Sequence, residues 1–183
     1  VLFGRRGVDV AALTPGHQEN GRRGGTQSVA LAEAMAMAPE HATSKQEAAA
    51  AHVTALRDRF EREVLAALPG TTVNGTAARV GATSNLQFPG VDGEALLIAL
   101  DLEGICVSTG AACASGSLSP SHVLLAMGRT SEQASGSLRF SLGLTTTASE
   151  VDGVVAALQR LVPKNLGLPS PRPSPPRGEG ERV

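Results

Sequence analysis

Strands interleaved with helices place this chain in the α/β class, with α+β as the neighbouring arrangement. Two observations carry that expectation. Apolar residues recur at helical spacing in separate stretches, most clearly between residues 43 and 68 and between 147 and 161. Between them lie short apolar or alternating runs bounded by Gly, Pro and Ser, as strands are. At 183 residues the chain is sized for one domain, or one and a piece.

The elements follow in order. Residues 1–13 read as a short strand and turn: Leu2 and Phe3 are apolar, Arg5 and Arg6 are charged, and Gly7 punctuates. Residues 14–28 form a polar, glycine-rich loop in which Thr26 or Ser28 is suited to cap the helix that follows. Residues 29–37 have strong helix propensity, and Pro39 marks a kink or a restart. A helix over residues 43–68 is expected to start at Thr43 or Ser44, with Glu47 as capping-box partner. Its buried stripe is Val53, Leu56, Phe60, Val64 and Leu68, while Arg57, Asp58, Arg59, Glu61, Arg62 and Glu63 fall mainly on the surface.

Thr71–Val73 and Asn85–Phe88 read as short strands, and Asp92 caps a helix reaching Leu102. Gly104 to Ser108 reads as a buried strand, and a Gly/Ser-rich loop runs from Thr109 to Ser119. Pro120 to Met127 is a short helix, Ser137 to Leu142 an alternating strand, and Thr147 to Leu161 a last amphipathic helix. From Pro163 to Val183 the chain is rich in Pro, Gly, Ser, Arg and Glu, and is expected to be a solvated, disordered tail. A polyproline ligand for an SH3-like partner is the other reading of that tail.

Composition excludes several function classes. Net charge is −1, so no bulk attraction to nucleic acid or anionic lipid is expected. All four aromatic residues are Phe, leaving little for base stacking. No apolar run reaches the roughly 18 residues of a membrane-spanning helix, and the start carries no signal-peptide pattern. Two cysteines make no disulfide framework, so a reducing cytoplasm is the expected setting.

Few residues could carry chemistry. Cys113 lies in Ser108-Thr109-Gly110-Ala111-Ala112-Cys113-Ala114-Ser115-Gly116-Ser117, where small neighbours leave the sulfur open and the backbone free to move. An ordinary small loop residue is the alternative. Cys106, between Ile105 and Val107, reads as a buried inert thiol. The spacing of the two cysteines matches no zinc pattern, so no metal site is expected. Arg139 lies mid-strand, where a rigid guanidinium is able to grip a carboxylate with two parallel hydrogen bonds; an exposed strand arginine is the alternative. The loop Gly21-Arg22-Arg23-Gly24-Gly25-Thr26 precedes a helix and has the chemistry of a phosphate holder, or is a plain connection. His17, His41, His52 and His122 form no local cluster.

Several of these stretches together resemble the cysteine desulfurases of the NifS/IscS type. They are the run from Gln87-Phe88-Pro89-Gly90-Val91-Asp92-Gly93-Glu94 through Ser108-Thr109-Gly110-Ala111-Ala112-Cys113, then Ser119-Pro120-Ser121-His122-Val123-Leu124-Leu125-Ala126-Met127-Gly128 and Ser137-Leu138-Arg139-Phe140-Ser141-Leu142-Gly143. Near the start, Gln18-Glu19-Asn20-Gly21-Arg22-Arg23-Gly24-Gly25-Thr26 resembles the family's glycine-arginine loop. The match runs from Leu2 to about Val162.

The resemblance implies a class V aminotransferase of fold type I with pyridoxal phosphate as cofactor. It implies an α+β small domain together with the last strand and loop of the large domain. Residues 1–28 would end the cofactor-binding domain, 29–162 would form the small domain with its long linking helix, and 163–183 the tail. In that family a loop cysteine attacks the sulfur of L-cysteine, alanine leaves, and an enzyme persulfide remains; Cys113 stands at that position. Arg139 stands where the family binds the substrate carboxylate. Thr26 stands where a threonine meets the cofactor phosphate of the neighbouring subunit, implying a homodimer. A sulfur-acceptor protein and a role in iron–sulfur cluster or thio-cofactor biosynthesis follow from the same resemblance.

Some positions depart from the pattern. His17 replaces a glycine, Asn20 a usual arginine, and Ala111 a usual serine. The family's Schiff-base lysine belongs to a Ser-x-His-Lys motif upstream of the strand at Leu2–Arg6, whereas the only lysines here are Lys45 and Lys164. The chain is therefore expected to be the C-terminal portion of such an enzyme, cut within a strand and inactive alone. A selenocysteine lyase or another class V enzyme is the first alternative. A non-catalytic dimerisation or binding remnant is the second.

Overall fold

The computed structural model describes residues 5–8, 10–75, 78–109 and 120–166. The chain divides into two compact units, Val1–Gln46 and Glu47–Val183.

The first unit holds the glycine-rich loop. Leu2 and Phe3 of the expected first strand lie outside the described residues, and Arg5 to Val8 form a turn closed by the Val8 N–H donating to Arg5 O at 3.1 Å. Two backbone segments then cross at Gly16 and Gly24. A Cβ on Gly16 would strike the Gly24 backbone, and one on Gly24 would strike the Pro15 carbonyl, so the crossing requires glycine at both. The Gly24 N–H donates to Thr14 Oγ1 at 3.0 Å, and Gln18 bridges to Arg23. Between those two, Gln18–Gly21 forms a single irregular turn (α1), with Glu19 and Asn20 in the left-handed region at φ 52° and 58°.

Helix α2 spans Val29–Ala67, 39 residues with Pro39 inside. This corrects the expectation of two helices with a fresh start at Thr43 or Ser44. The Ser44 hydroxyl donates to His41 O at 2.9 Å, within the helix. Proline removes one backbone donor and costs about 3 kcal/mol in a helix interior. Ala and Met fill Ala34–Ala38 and Ala48–Ala51, and this run of strong helix formers carries the helix through that local cost. The expected Ser28 cap is present, its Oγ accepting from the Leu31 N–H at 3.4 Å.

The second unit is built on a four-stranded antiparallel sheet in the order β1-β2-β4-β3. The strands are β1 (Thr72–Val73), β2 (Thr83–Gln87), β3 (Ser108–Thr109) and β4 (Ser137–Ser141). Between β2 and β3 runs α3 (Gly93–Asp101); between β3 and β4 come α4 (His122–Ala126) and α5 (Ser131–Ser135); α6 (Ala148–Leu161) follows β4. Asp92 caps α3 by accepting from the Glu94 and Ala95 N–H groups, as its position predicts. The sequence reading missed α5, although Thr130 and Gln133 form a capping box there.

Paired residues share a face of the sheet, so the ladder sorts the side chains. Val73, Leu86, Leu138, Ser84 and Phe140 lie on one face. Against it pack the expected stripe of α2 (Leu56, Phe60, Val64, Leu68), Leu96 and Leu100 of α3, and Val151, Val155 and Leu158 of α6, all buried. The Phe60 and Phe140 rings stand 4.9 Å apart, tilted by 54°. The other face is polar, with Thr72, Asn85, Gln87, Ser108, Ser137 and Arg139.

Two charged residues of α2 expected near the surface are instead buried. Glu61 receives two hydrogen bonds from Arg79, at 2.7 and 2.9 Å, and Arg57 donates to Val80 O and Asp58. The segment between β1 and β2 supplies both Arg79 and Val80, partners that helical spacing alone does not reveal.

The strand expected over Gly104–Ser108 is shorter than its apolar run. Gly104 sits at φ 78° and the Ile105 N–H donates to Leu100 O at 2.9 Å, so both belong to the closing turn of α3. Pro163–Asn165 forms a 3-10 turn, Asn165 Nδ2 donates to Leu161 O at 2.7 Å, and Leu166 bridges to Val91. The rest of the Pro-rich segment, 167–183, lies outside the described residues.

Candidate active site

Arg139 occupies the middle of β4, flanked on both sides. Asn85 of β2 is its register partner on one side and Ser108 of β3 on the other. Its backbone is therefore fixed by two ladders, while its side chain is exposed. Among the described residues no carboxylate pairs with it, although five other ion pairs form. A guanidinium fixed at its base and open at its tip suits a planar anion such as a carboxylate.

Cys113 falls on residues 110–119, outside the described residues. Cys113 follows Ser108 of β3 by five residues in the sequence. β3, the last described strand before that segment, pairs with the strand that carries Arg139.

Thr26 is exposed in the first unit, between Gly25 at φ 82° and the start of α2. Arg23 Nη1 donates to the carbonyls of Gly24 and Gly25, both at 3.2 Å, and so braces the backbone before Thr26. A hydroxyl donor beside a helix N-terminus matches a phosphate group. That chemistry is compatible with the phosphate of pyridoxal phosphate, the cofactor the family resemblance implies.

Cys106 corrects the sequence reading: it is exposed, not buried. In this segment alternate residues turn inward, so Ile105 and Val107 are half-buried and Cys106 faces out. It edges an apolar groove with Phe140, Leu142 and Val154. All four histidines are exposed, and among the described residues no three His, Cys, Asp or Glu gather as metal ligands.

Sequence reasoning also missed a buried polar chain behind Arg139. Asn74 Nδ2 donates to Asn85 Oδ1 at 2.6 Å and to Ser137 Oγ at 3.0 Å. Ser137 Oγ donates to Gln133 O at 2.7 Å. The signal was present in part, because Gln87 and Arg139 each lie between two apolar neighbours.

The chain belongs to the class-V aminotransferase family, whose model matches residues 6–154. Within that family it is similar to cysteine desulfurases. One from Trichormus azollae is 43% identical over 169 residues, covering 91% of this chain and 42% of that protein. Cysteine desulfurase NifS of Azotobacter vinelandii is 42% identical over 164 residues, covering 88% and 41%. Among solved structures, one described as a NifS-like protein superposes with a TM-score of 0.72 at 30% identity, over 87% of this chain and 41% of that one. A NifS-like protein from Rickettsia africae ESF-5 gives 0.69 at 28%, over 84% and 40%. The chain thus spans about two-fifths of the length of the relatives it matches, and its α/β architecture is that of part of a NifS-like fold.

Proposed function

We propose that this chain is the C-terminal portion of a pyridoxal-phosphate-dependent cysteine desulfurase. The observation that most supports the reading is the setting of Arg139: exposed, fixed by two ladders, and opposite the strand that leads to Cys113.

In this reading Arg139 binds the α-carboxylate of L-cysteine through two parallel hydrogen bonds. Thr26 donates its hydroxyl to the phosphate of the cofactor held by the neighbouring subunit, so each site of a homodimer draws on both chains. Pyridoxal phosphate, when bound, supplies the electron sink that makes the substrate's carbon–sulfur bond labile. The Cys113 thiolate attacks the substrate sulfur. A sulfur–sulfur bond forms as the carbon–sulfur bond breaks, the released electron pair is protonated at carbon, and alanine leaves. The persulfide on Cys113 then passes its outer sulfur to an acceptor protein, for iron–sulfur cluster or thio-cofactor biosynthesis in the cytoplasm. Small residues around Cys113 suit a thiol that must serve both substrate and acceptor.

In this account residues 1–183 release no alanine by themselves, because their only lysines, Lys45 and Lys164, lie in no Ser-x-His-Lys motif. The test of the reading uses the intact protein that contains these residues, loaded with pyridoxal phosphate. Alanine release from L-cysteine is expected, and Cys113→Ser is expected to abolish it. Undiminished release by the variant contradicts the assignment. Release from L-selenocysteine that survives the substitution marks a selenocysteine lyase instead.

A further inference from the structure

The polar chain behind Arg139 fixes which way one amide faces. Two oxygens stand 2.7 Å apart at Ser137 Oγ and the Gln133 carbonyl, and the carbonyl has no proton to give. The Ser137 proton is therefore committed to Gln133. The amide atom 3.0 Å from Ser137 Oγ must then be a donor, which makes it Asn74 Nδ2. That same nitrogen lies 2.6 Å from the amide of Asn85, so the atom facing it is the acceptor, Asn85 Oδ1. Asn85 accordingly turns its carbonyl toward Asn74 and its NH2 group away. Asn74 is nearly fully buried and its own Oδ1 has no partner among the described residues. The arrangement holds Asn85 in one orientation and leaves a buried acceptor unmet to do so.

Asn85 is only half-buried, and its Nδ2 has no protein partner among the described residues. It stands directly opposite Arg139 on the same sheet face. Side chains so paired have Cβ atoms about 5 Å apart. An oriented amide donor and an exposed guanidinium thus stand side by side on paired strands. We propose that Asn85 Nδ2 is a second donor to the substrate α-carboxylate, bound jointly with Arg139, and that Asn74 and Ser137 are positioning residues for it. This rests on the reading of Arg139 as the carboxylate-binding residue.

The test compares L-cysteine with L-cysteinamide, which lacks the carboxylate, in the intact holoenzyme. Asn85→Ala is expected to raise KM for L-cysteine about tenfold, the value of one charge-assisted hydrogen bond. It should leave KM for L-cysteinamide and kcat for L-cysteine within about twofold. Calorimetric affinity for L-alanine should weaken by the same factor as KM for L-cysteine rises. Asn85→Asp keeps the shape and the acceptor toward Asn74, and serves if the alanine variant does not fold; it should lower the preference for L-cysteine over the amide further. Unchanged KM, or an equal rise for both substrates, overturns the proposal, since a purely structural residue affects both alike. If Arg139→Ala leaves the preference for L-cysteine intact, the carboxylate reading itself fails. If only the Asn85 variants do so, Arg139 stands and Asn85 does not.

Discussion

Ser108 lies directly opposite Arg139 in the β3–β4 pair, so the strand that leads into the Cys113 segment is hydrogen-bonded to the strand carrying the arginine. Their spacing is set by backbone, not by flexible side chains. In the proposed function, Arg139 binds the substrate carboxylate and Cys113, five residues beyond Ser108 in the sequence, attacks its sulfur.

Arg139→Ala is expected to raise KM for L-cysteine about a hundredfold in the intact enzyme, since two charge-assisted hydrogen bonds are lost. Arg139→Lys should recover only part of this, because an ammonium lacks the planar fork. Steady-state kinetics of the two variants check the order.

Phe60 is 3% exposed and packs on Phe140 in the centre of the core. Phe60→Ala should destabilise the fold by about 3–4 kcal/mol, through lost burial and the cavity left behind. Phe60→Leu should cost less than half of that. Urea unfolding followed by circular dichroism measures both.

Burial raises the carboxyl pKa of Glu61, but the hydrogen bonds and charge of Arg79 outweigh it and hold the group below its ordinary value. A lowered carboxyl pKa contributes stability above the unfolded-state value, near pH 4.5, and loses it as pH falls through the lower folded value. Glu61→Gln should therefore reduce stability at neutral pH by about 2 kcal/mol and flatten the acid limb of the stability profile. Thermal melts across pH 2–7 give the comparison.

Thr147 accepts from the Glu150 N–H at 3.2 Å, and Glu150 accepts from the Thr147 N–H at 2.7 Å, closing the capping box that starts α6. Thr147→Ala should cost about 1 kcal/mol. Thr147→Asp should retain most of the stability, because aspartate caps as well. Hydrogen exchange at the Glu150 amide reports the loss locally.

What the sequence shows of this fold is what short-range pattern encodes. The stripe from Val53 to Leu68, the Asp92 cap and the alternation around Arg139 are local, and all appear where expected. Pro39 is misleading because a local breaker is overridden by the helix formers on both sides of it. Cys106 reads as buried because its apolar neighbours suggest a core run, while the turn after α3 rotates it outward. Glu61 and Arg57 depend on partners supplied by a distant segment, which helical spacing does not contain. The same holds for the site. Arg139 is legible as a strand arginine, but its neighbours Asn85 and Ser108 emerge only from the strand order β1-β2-β4-β3. Cys113 lies outside the described residues, so its role rests on its sequence setting and on the strand that leads to it.

The most direct test of the central claim is mass spectrometry of the intact holoenzyme after a single turnover with L-cysteine and no sulfur acceptor. One extra sulfur atom is expected on the peptide containing Cys113, removed by dithiothreitol and absent from Cys113→Ser. Extra sulfur on the Cys106 peptide alone, or alanine release with no persulfide on Cys113, would contradict the claim.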